Sequence, residues 1–509
     1  MRRLCTVAAV AILWAGQSFA AQDTKSAPDQ ALEHEHAALA AVVLQIQQGN
    51  GDKKTMEQAL GGILSDPAFA RLTDDEKHMA YLLYGAVLFD EDKHDAAKDA
   101  LAQASAMRQA DKNDWDLRLE NSYALADYTD AARAAAKLAR NWPDALSQYK
   151  DDAIFRLAKE AQKPSGDPQT AEALLSALFD AKWKPESPFK VADGLWFGLV
   201  RIRLAQGDLK GAKEAAAAIG DPEVLIWMRS DKRFDALVAA DPQHYDVMKA
   251  YDGLLAAERA ARTAAPDKLE GVNRAADTLF YLSRLRESLD LLDSAIARAK
   301  AKPDAFSDTG DQLNWSLDQR SRALFRLGRD DEAFRALESG AAAKEKGMRV
   351  NVSQAINLAG EYDVHDRPKD ALRAVEALKP SDVSPYGRMS LEDAQACAYF
   401  ALADKDNLAK TLDYMKAHAD DGTQPYLNTM LFVGDLDAAA AHVIAQLEDV
   451  STRSDMLYRL QDYLPLSNAT AREAAVHAAW ITLRARPDVS AEIAKVGRVE
   501  SYKLMSPFY

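Results

Sequence analysis

Apolar and polar positions along this chain come in paired bursts. In Leu324–Leu337, LFRLGRDDEAFRAL, two short apolar groups flank a charged turn. Gly328 and Ala333 stand five residues apart there. The same interval recurs at Asp92/Ala97, Asp127/Ala132, Gly166/Ala171, Gly207/Ala212, Asp366/Ala371, Asp404/Ala409 and Gly434/Ala439, with a weaker pair at Ser283/Ser288. Four residues beyond the second member an apolar residue often follows: Leu101, Leu175, Leu337, Val375, Val443. Three further on, Ala104, Leu178, Ile219 and Leu378 continue the face. Steps of three and four trace one stripe along a helix. The marker glycine or aspartate reads as the end of the preceding helix, because glycine best tolerates the left-handed cap. Each unit is therefore expected to be helix, tight turn, helix.

The markers are spaced by 35, 39, 41, 76, 45, 38, 38 and 30 residues. The interval of 76 spans about two units, with a degenerate one around DKRFDALVAADPQHYDVM. One hairpin cannot bury its apolar stripe, but a stack of hairpins can, which predicts an α-solenoid. Before the array, DQALEHEHAALAAVVLQIQQ reads as an amphipathic cap with Leu39, Val42, Val43 and Ile46 facing the first hairpin. After it, ITLRARPDVSAEIAKVGRVESYKLMSPFY reads as one short helix and a tail. The expected organisation is a signal peptide over 1–20, a flexible leader over 21–28, capping helices over 29–69, the array over 70–450, and C-terminal capping helices with a tail over 451–509. No clean boundary for a second domain is visible.

Trp315–Ala341, WSLDQRSRALFRLGRDDEAFRALESGA, resembles the tetratricopeptide-repeat (TPR) family at Trp315, Ser321, Leu324, Gly328, Ala333 and Leu337. AYLLYGAVLFDEDKHDAAKDALAQA is similar at Gly85, Leu88, Ala97 and Leu101, with Asp92 in place of the turn glycine. WFGLVRIRLAQGDLKGAKEAAAAIG is similar at Gly207 and Ala212. The resemblance covers roughly residues 70–450. It implies an all-α fold, a right-handed α-solenoid of about ten TPR-like hairpins. A related hairpin solenoid with a period near 38 is the alternative.

In such arrays the first helix of each pair lines the concave groove. Carried over, this gives Trp315, Asp318, Arg322, Phe325 and Arg326 as partner-binding candidates, with Phe197, Arg201 and Phe89 in earlier units. Aromatic and arginine side chains are favoured interface anchors. The competing reading is that Trp315 and the phenylalanines pack between hairpins. The family also includes a lysine and asparagine clamp for a peptide's terminal carboxylate. Leu82 and Ala86 stand where its polar groups would be needed, which puts that ligand in doubt.

The 509-residue chain is 48% hydrophobic and 28% charged, enough to fold, and its alanine runs favour helix. Its formal charge is −15, and the only dense basic cluster is Arg2–Arg3. A phosphate backbone needs Lys and Arg to displace its counterions, so nucleic acid is not an expected partner. The start, MRRLCTVAAVAILWAGQSFA, has a cationic end, an apolar run and small residues at Ser18 and Ala20. It reads as a secretory signal cleaved after Ala20. The run is short for the competing reading, a membrane anchor. No later run reaches transmembrane length, so the expected location is the bacterial periplasm.

Signal removal would leave Cys397 without an intramolecular partner, in LEDAQACAYFALA, where a packed core thiol is expected. No G-x-G-x-x-G, P-loop or G-x-S-x-G occurs. His34-Glu35-His36 points its histidines to different sides of a helix, so it reads as a solvated face rather than a metal site. The expectation is a non-enzymatic periplasmic scaffold without cofactor or metal, binding a protein or peptide in its groove. The alternative is an accessory helical superstructure for a cell-wall (peptidoglycan) enzyme or outer-membrane assembly machine.

Overall fold

The structure, a computed structural model, describes residues 27–48, 52–163, 165–343 and 351–506. The expected signal peptide and residues 21–26 of the leader lie outside the described residues; Ala27 is already helical. The chain forms two compact units, Met1–Ala216 and Ala217–Tyr509, where the sequence reads as one continuous array.

The first unit holds α1 (Ala27–Gln48), α2 (Lys53–Ser65), α3 (Asp74–Asp90), α4 (His94–Ala106), α5 (Lys112–Ala124), α6 (Tyr128–Asn141), α7 (Asp151–Ala161), α8 (Pro168–Asp180), α9 (Asp193–Ala205) and α10 (Leu209–Ala216). Leu39, Val42, Val43 and Ile46 of α1 share one core with Leu60 of α2, Leu83 of α3 and Leu101 of α4. The His34–His36 segment is not simply a solvated face. Glu35 is buried, and His36 Nδ1 meets Glu76, which closes the capping box at the start of α3. The α3/α4 crossing is close: a Cβ on Gly85 would lie 2.5 Å from the Leu101 side chain.

The second unit holds α11 (Pro222–Ser230), α12 (Asp235–Val238), α13 (Val247–Ala264), α14 (Leu269–Tyr281), α15 (Leu285–Ala301), α16 (Thr309–Arg326), α17 (Asp330–Ala342), α18 (Val352–Val364), α19 (Pro368–Val375), α20 (Pro385–Ala401), α21 (Lys405–Ala417), α22 (Thr423–Val433), α23 (Leu436–Glu448) and α24 (Arg453–Arg459). Strand β1 (Asp462–Leu464), α25 (Ala471–Ala485), α26 (Pro487–Val496) and strand β2 (Ser501–Met505) follow.

Among the described residues, eight hairpins in the two units share one turn. Asp92, Ala126, Gly207, Ser283, Gly328, Asp366, Ala403 and Gly434 all have φ between 55° and 82°. The N–H of the next residue returns to a carbonyl five positions back at 2.8–2.9 Å in every case, from Lys93 to Leu88 through Asp435 to Met430. This is the Schellman closure, which satisfies carbonyls the helix leaves open. Five residues beyond the turn, Ala97, Ala131, Ala212, Ala333 and Ala439 are wholly buried. Ser288 takes the same place and donates from Oγ to the Ala276 carbonyl of its partner helix at 2.7 Å. A small residue lets the two backbones approach.

Three markers shift. Asp127 and Asp404 do not end a helix: each caps the next one, accepting from the Asp130 and Asn407 amides, and the left-handed residue stands one place earlier. Ala409 is accordingly exposed, and Leu408 takes the inner position. Gly166 has no positive φ, and Asp167 caps α8 there.

The second unit closes on itself. Its helices pack on one another along the chain from α11 to α24, with α11 reaching α13 and α20 reaching α22, and α24 returns to pack on α11. The degenerate repeat is where the ends meet. Asp231, wholly buried, accepts from Arg233 Nε at 2.9 Å and from Ser454 Oγ at 3.0 Å. Arg233 also donates to the Val450 carbonyl at 3.0 Å. Arg498 donates to the Arg229 carbonyl at 2.7 Å, and Arg229 pairs with Glu500 at 2.7 Å. The expected tail is therefore a structural element: β2 pairs in parallel with β1, and α25 and α26 form the crossover that parallel strands require.

Candidate functional site

The first helices of four consecutive hairpins in the second unit face one cavity of about 630 Å³. Helix α16 contributes Trp315, Asp318, Arg322 and Arg326; α18 contributes Asn357, Glu361 and Asp363; α20 contributes Tyr386, Asp393 and Cys397; α22 contributes Asn428 and Phe432. Steps of three, four and seven put the α16, α20 and α22 sets each on one side of its helix, as with Asn357 and Glu361 of α18; Asp363, two places beyond Glu361, stands off that line. Arg459 of α24, with Glu473 and Val476 of α25, completes the wall. Helix α25 packs on α18 and α22, so the chain's own C-terminal segment lies against the inner face.

Four of the expected residues, Trp315, Asp318, Arg322 and Arg326, line this cavity. Trp315 is 44% exposed. Phe325 does not line it. It lies in the core, edge-on to Phe334 at 5.0 Å and 4.7 Å from the His365 ring. Successive helical residues lie about 100° apart, so Phe325 and Arg326 take different sides. In the first unit, Phe197 is buried with the Arg201 guanidinium 6.0 Å from its ring centre, and half-buried Phe89 packs edge-on to His94 at 5.1 Å. Both phenylalanines pack within the first unit rather than standing open.

Every arginine of the cavity is committed. Arg322 lies over the Phe280 ring at 4.6 Å and donates to Asp277 at 3.2 Å. Arg326 forms a buried two-pronged pair with Glu473, and Arg459 pairs with Asp455 at 3.0 Å. The loop before α25 is tied to the same turn: Ser467 Oγ donates to the Arg326 carbonyl at 3.0 Å and Asn468 Nδ2 to the Phe325 carbonyl at 2.9 Å.

The carboxyls are less well served. Asp318 accepts from Asn357 at 2.8 Å, and Asp393 from Thr429 Oγ1 at 2.5 Å. These partners stand 39 and 36 residues apart, at equivalent places on successive first helices. Carrying Asp318 forward by the repeat period would have found Asn357 and Asp393. No such signal marks Asp363. It is 3% exposed, and neither carboxyl oxygen has a hydrogen-bond partner. Glu361 Oε2 is also buried without one, with His365 Nδ1 3.7 Å away.

Burial raises these acids. Asp363 is pushed up to about 8 by burial and by the neighbouring Asp393, against a smaller opposing pull from Arg472. Glu361 is pushed up to about 8, chiefly by burial, and Asp393 to about 7 despite hydrogen bonds from Thr429, Cys397 and Asn428. The Cys397 thiol is raised by burial and by Asp393 and Asp363, so it stays protonated. Among the described residues no group of three or more His, Cys, Asp or Glu is arranged to hold a metal ion, and no helix is long and apolar enough to cross a membrane.

These shifts give a pH prediction. Between about pH 4 and pH 8 folded Asp363 keeps a proton that the unfolded chain has lost. The native state then binds more protons, so its stability falls as pH rises through this window. Asp363→Asn removes that loss. At about pH 8 the variant should be more stable by about 1–3 kcal/mol, the range for a buried group without a partner. At about pH 4, where the unfolded chain still holds much of this proton, it should differ little. Melting followed by circular dichroism at both values checks this; equal differences at the two would overturn it.

Neither a family model nor a curated protein matches the chain. Similar solved structures include the APC/C hetero-tetramer Cut9-Hcn1, at 11% identity over 92% of this chain and 91% of that one, with a TM-score of 0.31. Naa15/Naa10 bound to HypK-THB gives 13% identity over 88% and 73%, with a TM-score of 0.22. A monomeric IFIT1 mutant with m7Gppp-AAAA gives 11% over 90% and 93%, with a TM-score of 0.27. The fold assignment rests instead on this chain's own hairpins. With one left-handed turn repeated in eight of them, a small residue usually five places on, and first helices facing a common cavity, the chain is an all-α helical-hairpin repeat protein.

Proposed function

We propose that this protein is an exported, non-enzymatic scaffold of the bacterial periplasm that binds a segment of a protein or peptide partner in the cavity of its second unit. The observation that carries this reading is the cavity itself: four first helices present Trp315, Tyr386, Phe432 and a set of polar groups toward one space. Rigid aromatic side chains supply contact area, and Trp315 stands exposed to meet a partner. A protonated thiol and arginines held in ion pairs favour recognition over nucleophilic chemistry. The export half of the proposal rests on the sequence of residues 1–20. Their loss takes away Arg2 and Arg3 and no acid, changing the formal charge from −15 to −15 − 2 = −17.

One experiment addresses both halves. A photoreactive residue in place of Trp315 should crosslink, in intact cells, to a defined partner identified by mass spectrometry. The same residue at position 325 should not, because that side chain is buried. N-terminal sequencing of the exported chain should begin at Ala21. An intact Met1 in the membrane fraction would overturn export, and no partner at any exposed cavity position would overturn the scaffold.

A further inference from the structure

Among the described residues, the charged groups lining the cavity of the second unit are engaged or neutral. Arg322, Arg326 and Arg459 each hold an ion pair within the unit, Arg326 with Glu473. Asp318 accepts from Asn357, and Asp393 from Thr429, Cys397 and Asn428. Burial keeps Glu361 and Asp363 protonated near neutral pH. What stands open is aromatic and uncharged. Trp315 of α16 and Tyr386 of α20 are 44% and 56% exposed, and Asn357 is exposed on α18, the helix between theirs. Each can donate: an indole N–H, a phenol O–H, and an amide N–H besides the one given to Asp318. The floor at α18 is open too, since a Cβ on Gly360 would meet nothing within 4 Å.

The array also sets a spacing. The Asn357–Asp318 bond ties α16 to α18, and α18, α20 and α22 pack side by side. Packed helix axes lie about 8–10 Å apart. A polyproline II helix rises about 3.1 Å per residue with three residues per turn, so one face returns every ~9 Å. A segment of that form laid across the first helices presents every third residue to α16, α18 and α20 in turn. Proline has no backbone N–H, so such a segment brings carbonyl acceptors to a wall whose open groups donate. A glycan would bring hydroxyl donors as well as acceptors, and a charged segment would meet no free counter-charge.

We propose that the partner segment seated in this cavity is an uncharged, proline-rich stretch in polyproline II form, with Trp315 and Tyr386 packed against prolines two turns apart and Asn357 donating to a carbonyl between them. The inference rests on the scaffold reading above and names the chemistry of its ligand. Proline-rich segments suit aromatic-lined grooves because their conformation is already fixed, so little chain entropy is lost on docking.

Calorimetry on the purified full chain tests this with a terminally blocked peptide of about ten prolines, ~31 Å long in this form, a blocked glycine–serine peptide of the same length, and a chito-oligosaccharide. The proline peptide should bind more tightly than the glycine–serine peptide by about tenfold or more, the scale of one anchoring aromatic contact. Added salt should leave its affinity unchanged, because no ion pair forms. Trp315→Ala and Tyr386→Ala should each weaken it by about tenfold. Gly360→Leu, which fills the open floor, should weaken it similarly with the helical spectrum kept. The two peptides are compared on the unsubstituted protein, so the proposal stays testable if a variant does not fold. Absence of proline-peptide binding, equal affinity for the two peptides, loss of binding in salt, or tighter binding of the chito-oligosaccharide would overturn it. If crosslinking at Trp315 captures a partner through a segment without proline, this inference fails while the scaffold reading stands.

Discussion

Arg326→Ala should destabilise the second unit by about 3–5 kcal/mol, the cost of removing one partner from a buried ion pair. The side chains of Arg326 and Glu473 are only 6% and 9% exposed. Burial alone would raise the Glu473 carboxyl; hydrogen bonds and charge from Arg326, with the Thr470 amide, outweigh it and hold the acid below its usual value. A depressed carboxyl contributes stability that is present above its unfolded pKa and lost as pH falls through its folded one. The gap between wild type and variant should therefore close as the solution becomes strongly acidic. Hydrogen exchange should rise first over residues 462–505, because the Ser467 and Asn468 anchors sit on the same turn. The double variant Arg326→Met with Glu473→Leu should recover much of the loss, since neither charge then has to be desolvated. A single-variant cost below about 1 kcal/mol, typical of an exposed pair, would show that the pair does not anchor α25.

Phe325→Ala should cost about 3–5 kcal/mol, the range for a buried phenylalanine that leaves a cavity. Its ring meets Phe334 and His365 in a core that also contains Leu337 and Leu358. Partner capture should fall only as the unit unfolds. Trp315→Ala should do the reverse, changing stability by about 0.5 kcal/mol or less, as exposed positions do, while reducing capture. Denaturant melts beside a pull-down with the identified partner separate the two. A folded, stable Phe325→Ala protein that no longer binds would place that ring in the recognition surface after all.

The parts of this molecule that were legible in its sequence are the local ones. A left-handed residue needs its neighbours and a carbonyl five positions back, all within one turn. Gly207, Gly328 and Gly434 therefore announced their hairpins. Asp127 and Asp404 misled by one place because aspartate suits a helix start as well as a turn. Within the candidate site, Trp315, Asp318, Arg322 and Arg326 followed from the first helix's inner face. Asn357 and Asp393 follow from the same face carried forward by the repeat period. Phe325 was misplaced because a groove list drawn from one helix does not say where the face ends.

The sequence by itself determined the helical period, the hairpin turn and the side each first helix turns inward, because those depend on spacings of three to five residues. Only the tertiary structure decided what the inner faces meet. Arg326 finds Glu473 at a separation of 147 residues, Arg498 reaches the Arg229 carbonyl across 269, and the degenerate repeat near Asp231 becomes the seam that closes the second unit. Such contacts carry no periodic signature, because closing a long loop costs little more than closing a short one and leaves no trace in local composition. The same holds for Asp363. Its neighbours in the chain are ordinary helix residues, and its want of a partner exists only where α18, α20 and α25 come together around it.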